Sequence, residues 1–302
     1  MECIRAAKWR RPVSSDLAKE PASPLAKRAL RVASLPNAAQ PGRIRPVTQT
    51  TAAIQLIVFG ERNRTDFEGV LRDVAAAGFP AFEAGNLFAS HGENETRRLL
   101  EATGLTVCGA HFGYGDYSDP DKLKANIAYA KALGIRHMMC SGVADTKSVE
   151  GYRTSCRLFN QVGAQLQQEG ITFHYHNHAW EFEDLGGVNG MEIIAQETDP
   201  ALVKFNIDVY WVTFGGESPV YFIRRHAERA GYYHFKDGSR SQEGRPIFQE
   251  LGRGMVDLKG AIAAAREIGK AEWIVAEQDS TQLPHLESAS ISRRYMKEAL
   301  GV

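Results

Sequence analysis

Between residues 171 and 183 the chain reads ITFHYHNHAWEFE, with His174, His176 and His178 at alternate positions. On an extended strand, side chains two apart share a face, so the three imidazoles point the same way, and Glu181 and Glu183 follow. Neutral imidazole is the commonest metal ligand and titrates near neutrality. The pattern suits a metal site or a proton-transfer site; its plainer reading is one solvated histidine and two satisfied within a core. Other short stretches carry similar cargo. Glu83 lies in PAFEAGNL, His111 in TVCGAHFG, Asp208 in ALVKFNIDVYWV, His234 and Lys236 in GYYHFKDG, and Glu277 with Asp279 in AEWIVAEQD. Parity puts His234 with Lys236, Asn206 with Asp208, and Glu277 with Asp279, while Tyr175, Ile207 and Phe235 take the opposite face. Charged groups are seldom buried unless paired or metal-bound, so polar side chains aimed to one side imply a site.

The elements that position these residues alternate regularly. Apolar, β-branched and aromatic runs predict strands at 53–59, 80–87, 106–113, 136–142, from 171 onward, 201–212, 231–238 and 271–279. Helical spacing of apolar residues predicts helices at 65–79, 93–105, 119–135, 146–170, 189–197, 218–230, 255–269 and 285–300. Eight strands, each followed by a helix, over about 250 residues fit a (β/α)8 TIM barrel. No GxGxxG follows the first strand, which argues against a doubly wound sheet. The expected organisation is a single barrel domain over 51–302 behind an N-terminal extension. In such barrels chemistry gathers at the C-terminal strand ends, where all the residues above fall.

The extension, residues 1–50, is rich in Arg, Ala, Ser and Pro and poor in acid. It reads as a disordered tail, with an organellar transit peptide as the alternative, since no apolar signal core is present. It holds ten basic residues against three acidic ones, and the whole chain is formally neutral, so residues 51–302 carry seven excess negative charges. An acidic body argues against nucleic acid, whose affinity rests on clustered Lys and Arg. The cysteines at 3, 108, 140 and 156 form no CxxC pair and suit a reducing cytoplasm. No apolar run approaches the roughly 18 residues of a membrane span.

The stretches FEAGN, GAHFG, YHNHAWEF, NIDVYW, HFKDG, LGRGMVD and VAEQD occur in that order across residues 53–300. Together they resemble the xylose-isomerase-like barrels, and within them the sugar phosphate isomerase/epimerase branch. That resemblance implies one divalent metal held from the fifth to eighth strands, commonly by Glu, Asp, His and Glu. By position these are His176, Asp208, His234 and Glu277, with histidine replacing the fifth-strand glutamate of many relatives. A set of two imidazoles and two carboxylates favours Mn, Co, Zn or Fe over Mg. It also removes one of two metal-bound carboxylates that share proton transfer in the family. Glu277 is the expected proton carrier, with Lys236 or Glu181 as its partner. Glu83, His111, His178, Trp211 and Arg240 are expected to contact substrate; Trp211 stands where ketose epimerases carry histidine, and Arg240 matches their substrate-contacting arginine.

The implied function is a metal-dependent isomerase or epimerase of a keto-sugar or related polyol, working through an enediolate. The alternative at the same site is a dehydratase or lyase acting on an inosose or 3-keto-glycoside. A non-catalytic sugar-binding protein is a further reading, and a repair nuclease is disfavoured by the acidic barrel. The expected partner is a small carbohydrate, with no nucleic acid and no membrane. Relatives in the resemblance form dimers or tetramers, which implies a homo-oligomer.

Overall fold

The computed structural model describes residues 50–302, so the readings made for the basic extension lie outside the described residues. Eight parallel strands close in the order β1-β10-β7-β6-β5-β4-β3-β2. They are β1 Thr51–Gln55, β2 Ala81–Ala84, β3 Thr106–Gly113, β4 His137–Ser141, β5 Thr172–His176, β6 Val203–Asp208, β7 Ala230–Phe235 and β10 Trp273–Ala276. Between β7 and β10, β8 (Asp237–Arg240) and β9 (Pro246–Gln249) form a separate antiparallel hairpin. Helices surround the barrel, the longest being Val149–Gln168. None of the described helices is long and apolar enough to cross a membrane.

Strand parity sorts the side chains. On β5, Phe173 and Tyr175 face outward onto Phe159 of the Val149–Gln168 helix, and His174 and His176 occupy the alternate, inward positions. The barrel interior has its own small core of Ala53, Ala81, Cys108, Met139, Tyr232 and Val275. Gly109 makes room there. A Cβ at that position would lie 2.5 Å from Met139 Cε and 2.6 Å from the Tyr232 hydroxyl, closer than a packed interior tolerates.

Several elements differ from the sequence expectation at the mouth. The first strand ends at Gln55 and continues as a 3-10 turn, Leu56–Phe59. The fifth ends at His176, which leaves His178 in the following loop. The sixth ends at Asp208, whose carboxylate accepts the Trp211 amide at 2.9 Å and starts the helix Val209–Phe214. An apolar run of VYWV carries no period long enough to separate strand from helix, and the cap decides. Short helices at Arg62–Thr65, Leu87–His91 and Tyr114–Ser118 add to the expected elements.

Candidate active site

At the C-terminal ends of β5, β6, β7 and β10, one ligand-type atom from each of His176, Asp208, His234 and Glu277 lies within 4.8 Å of the others, and all four residues are buried. Register explains the meeting: Asp208 pairs with His234, which pairs in turn with Val275, one turn of pleat below Glu277. Lys236 enters the same cluster. Its Nζ lies 2.7 Å from Asp279 Oδ1, 3.2 Å from Glu277 Oε1 and 3.6 Å from Asp208 Oδ2. An ammonium 1% exposed among three carboxylates is an internal cation. The Trp211 ring covers it, with the centroid 5.1 Å from Nζ.

His234 is held at both nitrogens. Nδ1 faces Glu277 Oε2 in a short contact, and Nε2 faces Glu83 Oε2 at 2.9 Å. Burial opposes charge on this ring, but the Glu83 and Glu277 charges outweigh it and lift its pKa to about 10. Glu83 accepts from His111 Nδ1 and the Tyr232 hydroxyl, each at 2.8 Å. Burial would raise the Glu83 carboxyl, yet the His234 charge and the His111 hydrogen bond carry it down to about 2. For Glu277 burial again opposes ionisation, and Lys236 and His234 overcome it, holding the carboxyl well below its usual range. For Asp208 and Asp279 burial wins, and both are raised despite Lys236.

The facing wall is made of imidazoles. Burial first, then neighbouring positive charge, pushes His176 well below its ordinary pKa and His178 down to about 3. The His176 ring packs edge-on against His111 and His178, each with centroids 4.8 Å away. A cavity of about 350 Å³ opens here, lined by His111, Ser141, His176, His178, Glu277 and Asp279.

Three expected site residues stand elsewhere. Glu181 is fully buried behind the mouth, taking the Tyr175 hydroxyl at 2.6 Å and the His178 amide at 2.8 Å. Tyr175 faces outward, so Glu181 braces the loop and does not line the cavity. Arg240 lies on the exposed hairpin with its guanidinium 3.7 Å from the Phe214 ring centroid, donating to the Phe214 carbonyl. Glu83, expected to contact substrate, lies fully buried beneath His234. Tyr232 and Asp237 are not among the residues the sequence singles out. Asp237 accepts amides of Gly252 and Gly254, each at 2.9 Å, and Val256 at 3.2 Å. It therefore organises LGRGMVD, and a Cβ on Gly254 would strike the Asp237 carboxylate at 2.2 Å. The HFKDG stretch held that signal as a second acid beside the strand end.

The chemistry of the donor set fits a divalent cation. Asp208 Oδ2 and His176 Nδ1 are buried with no hydrogen-bond partner, and four carboxylates (Glu83, Asp208, Glu277, Asp279) face two cationic groups, Lys236 and His234. Ligation by His234 requires one nitrogen free of its proton; Nδ1, turned to Glu277, is that nitrogen, and Glu83 keeps the other.

A parallel eight-stranded barrel with ionisable side chains gathered at its C-terminal mouth defines a TIM-barrel enzyme class. The sequence profile of the xylose isomerase-like TIM barrel family matches residues 71–299, and the chain belongs to that family. A protein named inosose dehydratase from Geobacillus thermodenitrificans is 24% identical over 272 aligned positions, covering 78% of this chain and 90% of that one. Another of that name from Lactiplantibacillus plantarum is 24% identical over 274, covering 78% and 89%. A solved sugar phosphate isomerase/epimerase from Parabacteroides distasonis shares the fold with a TM-score of 0.70 at 20% identity, covering 85% of this chain and 97% of that one. A solved L-ribulose 3-epimerase shares it at 0.65 and 17% identity, with 84% and 95% covered.

Proposed function

We propose that this chain is a lyase that takes a proton from the carbon next to a ketone and expels water or an alcohol from the carbon beyond, on a ketonic cyclic polyol or a keto-glycoside. The observation that carries this reading is the 3.2 Å contact between Glu277 Oε1, which lines the cavity, and Lys236 Nζ, buried directly behind it. Glu277, ionised, takes the proton; the C–H pair becomes the enolate and then the new double bond as the C–O bond breaks. Lys236, held charged by its three carboxylates despite burial, supplies the proton to the departing oxygen through Asp279, which it meets at 2.7 Å and which lines the cavity. The proton on Glu277 then passes to Lys236, so the pair resets without net exchange. A bound divalent ion would be held by His176, Asp208, His234 and Glu277, and would supply electrostatic stabilisation of the developing enolate oxygen. Relatives named inosose dehydratase support the elimination outcome.

The two-base epimerase reading needs a second acid on the other face of the substrate. Burial opposes charge on His176 and His178 of the facing wall, and Glu181 does not reach the cavity. Elimination needs one wall only. The deciding experiment incubates the metal-loaded protein with an inosose and with 3-keto-glycosides in D₂O and follows the products by NMR. An α,β-unsaturated ketone is expected; an inverted, deuterated ketone establishes the epimerase, and no exchange at all refutes both.

A further inference from the structure

A second cavity of about 370 Å³ adjoins the catalytic one, and Gln55 and Ile57 line both. Each opens at the C-terminal strand ends. The divide is the turn Leu56–Phe59 after β1, and the far side of the second cavity is the helix Leu87–His91 after β2. The two differ in chemistry. Imidazoles and carboxylates line the first, whereas Leu56, Phe67, Ala84 and Leu87 give the second a largely carbon surface. His91 lies flat on Phe67 with ring centroids 4.0 Å apart, closing one end with a stacked pair. Ile57 stands at the divide with 41% of its surface exposed.

Position relates the second cavity to the reaction. β1 pairs with β10, so Gln55 and Ile57 sit beside the strand end that carries Glu277 and Asp279, and all four line the first cavity. A free cyclic polyol is polar on every edge and would leave this carbon surface uncovered. Small-molecule sites are mostly apolar with a few placed polar groups, over about 300–1,000 Å³; here the two characters are divided between adjoining chambers.

We propose that the second cavity is a subsite for an apolar aglycone, which makes the substrate a keto-glycoside and the expelled group an alcohol or phenol. This rests on the first cavity being where the keto ring reacts. The balance is complete without a co-reactant. The C–H bond next to the ketone breaks, the glycosidic C–O bond breaks, a C=C bond forms between those carbons, and the aglycone oxygen leaves with the proton from Lys236.

The test is calorimetric binding of methyl and phenyl glucosides, both anomers, which lack the ketone and do not turn over. Phenyl glucoside is expected to bind at least about ten-fold more tightly, since even one methylene in a fitted apolar pocket is worth about 10–200-fold. Ser90→Trp, on the exposed rim of the second cavity, is expected to erase the preference and leave methyl glucoside affinity unchanged. Gly85→Val, where a Cβ meets only the His111 carbonyl at 3.8 Å, is the second variant. Equal affinities, no binding of either glycoside, or a preference that both variants leave intact would overturn the subsite. Phenyl preference without turnover of the 3-keto forms retains the subsite and refutes the lyase; turnover without preference does the reverse.

Discussion

Glu83 Oε2 on β2 reaches across the barrel to His234 Nε2 on β7 at 2.9 Å, and it takes the Tyr232 hydroxyl with the same oxygen. The carboxylate never sees solvent, and its bonds leave His234 with Nδ1 turned to Glu277. Glu83 is thus a positioning residue, fixing the tautomer and ring plane of a candidate ligand. Loss of such outer partners typically costs about 10–100-fold in metal affinity or activity. Glu83→Gln is expected to lower kcat and metal affinity by amounts in that range, with KM little changed. Steady-state kinetics and a metal titration check it; unchanged values would reduce Glu83 to core packing.

Lys236 answers three carboxylates with one charge. Removing one partner of a buried ion pair typically costs about 3–5 kcal/mol, because the remaining charge is left uncompensated. Lys236→Met is therefore expected to destabilise the apo protein by that order. It is also expected to lower turnover by about 10²–10⁴-fold, the usual worth of a positioned general acid. Denaturant unfolding and kinetics measure both. A stable variant with full activity would exclude Lys236 from proton transfer.

The barrel and the strand-end residues were legible because each rests on a short-range rule. Period-two parity assigned His176, Asp208, His234, Lys236 and Glu277 to one side, and the structure brings those five together. What parity cannot supply is depth. Glu83 and Glu277 look alike in sequence, yet one lies under His234 and the other lines the cavity. Glu181 follows the histidines closely, but the chain turns at Trp180–Phe182 and carries its side chain to Tyr175. Tyr232 was unreadable for a different reason: its role depends on a glycine at 109, on another strand 123 residues away, leaving space for its hydroxyl.

Metal dependence follows from the donor set. One ion per chain is expected, with Mn, Co, Zn or Fe preferred over Mg because two of four donors are imidazoles. Binding must displace the proton from His234 Nδ1, so affinity is expected to rise with pH. At a free ion concentration of 100 times Kd the protein should gain about 2.7 kcal/mol, and a chelator should remove it along with activity. Elemental analysis with thermal melts at two pH values tests this. Activity and melting temperature indifferent to chelation would refute the role.

Glu181 gives a pH signature separate from the catalytic cluster. Burial lifts its carboxyl to about 7 against the hydrogen bonds from Tyr175 and the His178 amide, whereas an unfolded glutamate titrates near about 4.3. Between these values the folded state holds the proton and the unfolded state does not, so stability falls as pH rises through the window and stays lowered above it. Glu181→Gln retains a donor for one partner and an acceptor for the other without a charge to bury. Relative to wild type, its unfolding free energy is expected to improve from pH 5 to pH 8 by up to about 3 kcal/mol, the span of the shift. Denaturant titrations at the two pH values measure the difference directly. A variant-to-wild-type gap that does not move with pH would mean that Glu181 titrates alike in both states, and that its burial beside Tyr175 carries no electrostatic cost.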